Sequence, residues 1–162
     1  MLVVEIFNHN LNFKTPGGTS RGILKNKPTW YIKIYYGNKP SVYGLGECGP
    51  IKDLSIESAD EMMDQLKKVQ KSINDLSSLD LSLFPSIQFG IESALRDLKN
   101  GGKRIIFQNS FLEGKPIKIN GLIWMGNKDF MINQIKSKIE KGFSCLKLKI
   151  GSIDFIEEIS IL

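Results

Sequence analysis

The strongest constraint on the fold is an alternation of strand and helix patterns in the last third of the chain. Apolar strand patterns cover residues 117–125 and 145–150, and a helical pattern covers residues 128–141 between them. A further helical pattern begins at Asp154. Because strands and helices at such short spacing are typical of a parallel sheet with right-handed crossovers, we predict the beginning of such a sheet here.

The first fifty residues predict a three-stranded antiparallel sheet. Its strands are expected at residues 2–7, 29–36 and 42–48. Between the first two strands lies a polar segment, residues 14–22, which contains three glycines and which we predict to be a mobile loop. Thr19, Ser20 and Arg21 give this loop groups that can bind an anion.

Two helical patterns follow the predicted sheet. The first begins after Ser58, which has capping-box spacing to Glu61, and the second begins near Pro85, a residue suited to a first helical turn. The apolar stripe on each is typical of core packing. We therefore predict an α+β domain over residues 1–115, followed by a second, truncated domain over residues 116–162.

The composition argues against several classes of protein. The net charge of +5 comes from lysines spread among acidic residues, which is typical of solvated helix faces and not of a nucleic-acid surface. No apolar run approaches the ~20 residues that a membrane span needs, and no signal-peptide pattern is present. The two cysteines, Cys48 and Cys145, are far apart and lack metal-site spacing. We expect a cytoplasmic protein that binds neither nucleic acid nor a membrane.

A pair of lysines on the second strand of the alternation carries the clearest chemistry. Lys147 and Lys149 flank Leu148, so strand alternation directs both lysines to one side, together with Cys145. Near the end of a barrel strand, a lysine whose neutral form is accessible can act as a general base. Alternation alone leaves the other interpretation open, which is an edge strand with its lysines in water.

Four segments also occur in a distinctive order: FKTPGGTSRG at residues 13–22, GLGECGP at 44–50, INGLIWM at 119–125 and FSCLKLKIG at 143–151. In this order they resemble the enolase superfamily, and within its muconate-lactonizing branch the o-succinylbenzoate synthase family of menaquinone biosynthesis. The resemblance covers essentially the whole chain. It implies that residues 1–115 are a capping domain and that residue 116 begins a TIM-like (β/α) barrel. Such a barrel takes about 250 residues, so we expect only its first strands and helices.

The resemblance also implies a reaction and roles for the candidate residues. The family abstracts a proton next to a carboxylate, and Mg²⁺ stabilises the enediolate. The synthases carry out a syn dehydration of 2-succinyl-6-hydroxy-2,4-cyclohexadiene-1-carboxylate. Lys149 matches the lysine that acts as the base, and Lys147 matches the lysine that orients the substrate carboxylate. Thr19, Ser20 and Arg21 match the loop that closes over this small carboxylate substrate, with Arg21 as a partner for the succinyl group.

The family's three acidic metal ligands match no position in this sequence. Glu47 matches a strand of the capping domain and not a metal ligand. We therefore expect Mg²⁺ as the cofactor of the family's reaction, with none of its protein ligands in this sequence. We also expect no turnover by this chain alone. Three alternatives stay open. They are a dipeptide epimerase, an N-acylamino-acid racemase of the same branch, and a non-catalytic chain that binds a partner. A homo-oligomeric state is also left open.

Overall fold

The computed structural model describes residues 1–19, 22–151 and 153–161, and of Thr19 only the backbone. The elements follow in chain order: β1 (Leu2–Thr19), β2 (Gly22–Tyr36), β3 (Lys39–Cys48), α1 (Ala59–Ser72), α2 (Pro85–Lys99), β4 (Gly121–Ile123), α3 (Lys128–Glu140), β5 (Leu146–Leu148) and α4 (Phe155–Ile159), with a 3-10 turn at Leu76–Ser78 between α1 and α2. The strands form two sheets, one of order β1-β2-β3 and one of order β4-β5.

The described residues divide into two compact units. The first comprises residues 1–12 and 26–108, and the second comprises residues 13–25 and 109–162. Residues 13–25, where β1 ends and β2 begins, thus group with the second unit. The predicted domain boundary at residue 115 stays a prediction.

The first unit contains the antiparallel sheet and the two predicted helices. Ser58 caps α1, because its side-chain oxygen accepts a hydrogen bond from the Asp60 N–H, and α2 begins at Pro85 as expected. In β2, Ile32 and Ile34 are fully buried in one cluster with apolar residues of both helices. The apolar stripes predicted for α1 and α2 are therefore core faces.

Helix α2 packs directly on the backbone of β3. A Cβ atom at Gly44 would lie 1.8 Å from the carbonyl oxygen of Ala94, and one at Gly46 would lie 1.8 Å from the carbonyl oxygen of Gly90. No side chain fits in that space, so the two glycines allow the close approach of strand and helix.

The second unit contains the predicted parallel sheet. β4 and β5 are parallel, with Gly121 paired to Leu146, Leu122 to Lys147 and Ile123 to Leu148. Helix α3 connects the two strands and contacts β4. Its first turn is capped by the Asn127 side chain, which accepts a hydrogen bond from the Phe130 N–H.

Two expectations about element length are wrong. The segment predicted as a polar loop is mostly strand, since β1 extends to Thr19 and β2 begins at Gly22. Pairing between strands satisfies backbone hydrogen-bonding groups even where the side chains are polar. The strand predicted over residues 117–125 is limited to Gly121–Ile123, the residues that pair with β5. The Ile117 and Ile119 side chains are correspondingly exposed.

Candidate functional site

The two candidate catalytic lysines lie on one face of the second sheet. Lys147 is the central residue of β5, and Lys149 follows the strand's last residue. Both lysines are exposed, whereas Leu146 and Leu148 are half-buried, so the predicted alternation is present. Ile150 departs from it, because it is 64% exposed where alternation predicts packing.

Helix α3 covers the opposite face of this sheet. Gly121 and Ile123 are buried on the covered side, and a Cβ atom at Gly121 would lie 3.2 Å from the Cβ atom of Lys138. Leu122, which pairs with Lys147, is 44% exposed on the other side. Within the described part of the chain, the sheet thus presents an open face that carries Leu122 and the lysine pair.

The end of β4 is held by a side chain of α3. The Gln134 amide nitrogen donates to the Trp124 carbonyl oxygen at 2.9 Å, and its amide oxygen accepts from the Trp124 N–H at 2.8 Å. Trp124 directly follows the end of β4. The Gln134 side chain therefore satisfies the two backbone groups of Trp124 that a neighbouring strand would otherwise pair with.

The Trp124 indole contacts the hairpin tip, which we define as the described residues 13–19 and 22–25. Its Nε1–H donates to the Pro16 carbonyl oxygen at 3.1 Å. Gly17 is buried against the ring, and a Cβ atom there would lie 2.8 Å from Trp124 Cζ2. The residue that directly follows β4 is therefore in direct contact with the tip.

The candidate substrate-binding residues follow this contact in sequence. Thr19 is the last residue of β1 and lies two positions after Gly17, but only its backbone is described. Ser20 and Arg21 lie outside the described residues. Their roles, and the roles of the two lysines, stay predictions.

The acidic residue of the GLGECGP segment is engaged in an ion pair in the first unit. Glu47 Oε1 lies 3.2 Å from Lys27 Nζ, and both side chains are partly exposed. Next to it, Cys48 is buried, and burial raises the pKa of its thiol to about 12, with the Glu47 and Glu57 carboxylates adding to the rise. Cys48 is therefore a neutral packing residue and not a nucleophile.

The described residues do not fit a magnesium site. Mg²⁺ requires near-octahedral oxygen ligation, usually with at least one carboxylate. In residues 1–19, 22–151 and 153–161, no three His, Cys, Asp or Glu side chains come together in a group that could hold a metal ion. The described residues alone would therefore not hold Mg²⁺.

Sequence reasoning missed Trp124 and Gln134 as parts of this site. The available signal was the Gly17-Gly18 pair inside an otherwise extended segment, since glycine in a strand often marks the close approach of another group. No pattern in the sequence names the group that approaches.

Comparison with known proteins identifies the family. Residues 1–98 match the family model described as MenC, N-terminal domain. The chain belongs to the MenC family.

The most informative relatives agree with this assignment. The o-succinylbenzoate synthase of Desulfotalea psychrophila is 34% identical over 94% of this chain and 50% of its own length. The crystal structure of MenC from Desulfotalea psychrophila LSv54 has a TM-score of 0.77 at 28% identity and covers 99% of this chain and 51% of that one. A dipeptide epimerase from Cytophaga hutchinsonii, complexed with Mg and the dipeptide D-Ala-L-Val, has a TM-score of 0.70 at 23% identity over 99% of this chain and 47% of that one.

These matches confirm the resemblance to the enolase superfamily and the predicted fold class. The chain is an α+β capping unit followed by the first strands and helices of a (β/α) barrel. It spans about half the length of the curated relative that it matches. In the part of the chain that the structure describes, no helix combines the length and the apolar character that crossing a membrane requires.

Proposed function

We propose that this chain supplies the cap and the first barrel strands of an o-succinylbenzoate synthase. The observation that supports the proposal most directly is the 34% identity to the Desulfotalea psychrophila synthase over 94% of the chain. The lysine pair on the open face of the β4–β5 sheet supports it independently, because it offers two cationic or basic groups on one side of a barrel strand.

The proposed chemistry uses Lys149 twice. Its neutral amine takes the proton next to the ring carboxylate of 2-succinyl-6-hydroxy-2,4-cyclohexadiene-1-carboxylate, which leaves an enediolate and a lysine ammonium. The ammonium then returns that proton to the departing hydroxide on the same face of the ring, so that water leaves and the ring becomes aromatic. Atoms and charge balance without a further reactant.

The other candidate residues would bind and orient the substrate. Lys147, on the same face as Lys149, is placed to attract the ring carboxylate as a positive charge. We propose that Thr19, Ser20 and Arg21 bind the succinyl carboxylate at the hairpin tip, with a guanidinium as the natural bidentate partner of a carboxylate.

We further propose Mg²⁺ as the cofactor of the complete enzyme, held by residues other than those described here. When bound, the metal would supply positive charge to the enediolate oxygens. Since the described residues do not fit such a site, the 162-residue chain produced alone is expected to show no dehydration.

The experiment starts from the polypeptide that the source cells produce. Its intact mass is measured first, and that polypeptide is then assayed with Mg²⁺ for formation of the aromatic product. Lys149→Ala is expected to lower kcat by about 10²–10⁴-fold, the usual contribution of a general acid–base group. Lys141→Ala, an exposed lysine at the end of α3, is the matched control and is expected to keep full activity. Equal activity of the two variants would refute the role of Lys149.

A dipeptide epimerase is the second candidate, favoured by the structural similarity to the Cytophaga hutchinsonii enzyme. That similarity, at 23% identity, concerns the fold alone. The same preparation should therefore be offered L,L- and D,L-dipeptides. Epimerisation without any dehydration of the cyclohexadiene substrate would replace the first proposal with this one.

A further inference from the structure

We infer that Trp124 is a positioning residue that holds the hairpin tip against the residues that follow β4. The inference concerns a contact within the second unit, to which both the tip and residues 109–162 belong. Only the effect on substrate binding rests on the proposed function. Two independent observations carry the contact itself.

The first observation is the hydrogen bond from the indole. Trp124 Nε1–H donates to the Pro16 carbonyl oxygen at 3.1 Å, which joins positions 108 residues apart in the sequence. Pro16 has no N–H of its own, so its carbonyl is the group through which its backbone can be anchored. The backbone that carries the indole is itself held, since Gln134 binds both backbone groups of Trp124.

The second observation is the absence of a side chain where the indole lies. A Cβ atom at Gly17 would lie 2.8 Å from Trp124 Cζ2, well inside van der Waals contact. The Gly17 backbone is not in the left-handed region, and among the described residues the three atoms nearest to such a Cβ all belong to the indole. Glycine is therefore required at this position by Trp124 and not by backbone conformation.

The adjacent glycine provides a matched comparison. A Cβ atom at Gly18 would lie 3.4 Å from the Met125 Cβ atom, which is an ordinary contact, and this residue also lacks a left-handed backbone. Gly17→Ala and Gly18→Ala thus change the chain in the same way, two and one residues before Thr19. They differ in whether the new methyl group meets the indole.

The consequence for the enzyme is that tip position is set by the end of the first barrel strand. In the sequence, Thr19, Ser20 and Arg21 follow Gly17 by two to four positions, so these proposed binding residues are close along the chain to the anchored backbone of Pro16 and Gly17. A tip held in advance costs less ordering when a substrate binds, which improves affinity without a new contact to the substrate.

Trypsin tests the anchoring without any substrate. Lys14 and Lys25 are exposed in the tip, and Arg21 adds a third cleavage position. Where opening is fast relative to cleavage, the cleavage rate follows the population of the open tip. Trp124→Phe keeps a ring and loses the hydrogen bond, so cleavage in the tip is expected to be about fivefold faster, the factor that corresponds to one hydrogen bond. Far-UV circular dichroism checks that each variant remains folded.

The glycine variants make the test specific. Gly17→Ala is expected to accelerate tip cleavage, and Gly18→Ala is expected to leave it unchanged. In a Trp124→Ala chain the indole is gone, so adding Gly17→Ala should produce no further acceleration. Equal cleavage of Gly17→Ala and Gly18→Ala, or an unchanged rate for Trp124→Phe, would overturn the inference.

Kinetics on the natural polypeptide then test the positioning role. Trp124→Phe is expected to raise KM for the carboxylate substrate by about fivefold at unchanged kcat, because saturating substrate restores the ordered tip. A loss of kcat at unchanged KM would place the indole among the reacting groups and overturn the assignment. If no dehydration is found at all, the proposed function fails, while the trypsin result still decides whether Trp124 holds the tip.

Discussion

Asp97 connects the end of α2 to β3, and its removal should destabilise the first unit more than that of any surface acid. Its carboxylate is fully buried and accepts hydrogen bonds from the Leu45 N–H at 3.0 Å and from the Arg104 N–H at 2.6 Å. It also forms an ion pair with the Arg104 guanidinium, whose side chain is 43% exposed. The three bonds fix the strand, the helix and the loop after the helix in one arrangement.

The expected cost of Asp97→Ala follows from what the substitution leaves unpaired. Breaking a buried ion pair by removing one partner costs about 3–5 kcal/mol. The lower end applies here, because Arg104 is partly exposed and keeps its hydrogen bonds to the Tyr43 and Gly102 carbonyl oxygens, each at 3.1 Å. The backbone N–H groups of Leu45 and Arg104, in contrast, lose the carboxylate as acceptor. We expect the free energy of unfolding to fall by about 3 kcal/mol.

Urea unfolding provides the measurement. In a Trp124→Phe background the buried Trp30 is the remaining tryptophan, so its fluorescence reports the first unit. Asp64→Ala is the control, because Asp64 forms an exposed ion pair with Lys67 at 3.3 Å and such pairs contribute about 0–1 kcal/mol. A shift of the midpoint at constant m-value measures the change in stability. If Asp97→Ala costs no more than Asp64→Ala, the reasoning from buried pairing is wrong.

Two further predictions concern titration and thiol reactivity. The pKa of Glu5 is lowered, first by the hydrogen bond from the Tyr35 hydroxyl and then by Lys33. The stability that the Glu5 carboxylate contributes is therefore present above its unfolded-state pKa and is lost as the pH falls through its folded-state pKa. Glu5→Gln removes this titration, so the free energy of unfolding should fall less on acidification than in the original chain. Urea unfolding at neutral and at acid pH measures the difference. An unchanged pH dependence would contradict this. For the thiols, Ellman's reagent should titrate Cys145 in the folded chain, and Cys48, whose pKa is raised to about 12, should react only after unfolding. Cys145→Ser should abolish the reaction of the folded chain, and persistent reactivity would show that Cys48 is accessible.

The features that the sequence predicted well are those set by residues close together in the chain. The cap at Ser58, the start of α2 at Pro85 and the alternating exposure around Lys147 each depend on a few neighbouring residues. The order of strands and helices followed from the same local patterns. Local chemistry was sufficient for these features because propensity, capping and burial pattern all favour the same structure.

The features that it predicted poorly depend on distant partners. β1 extends to Thr19 because β2 pairs with it, although its side chains there suit a loop. β4 ends at Ile123 because the pairing with β5 ends there, and an α3 glutamine takes over the backbone of the next residue. The contact between Trp124 and Pro16 spans 108 positions and has no periodic pattern. Pairing and packing over such distances outweigh the local preference of a segment.

The lysine pair depends both on residues close together in the chain and on distant partners. Strand alternation alone brings Lys147 and Lys149 to one face, so their mutual geometry is encoded within five residues. A lysine becomes an effective base when its surroundings disfavour the ammonium form, and both lysines are exposed to solvent among the described residues. Strand alternation therefore accounts for the placement of the pair, while the role proposed for Lys149 depends also on what covers the open face. For this reason the role of Lys149 has to be tested in the natural polypeptide, whereas the anchoring of the tip by Trp124, which is complete within the second unit, can be tested in the 162-residue chain itself.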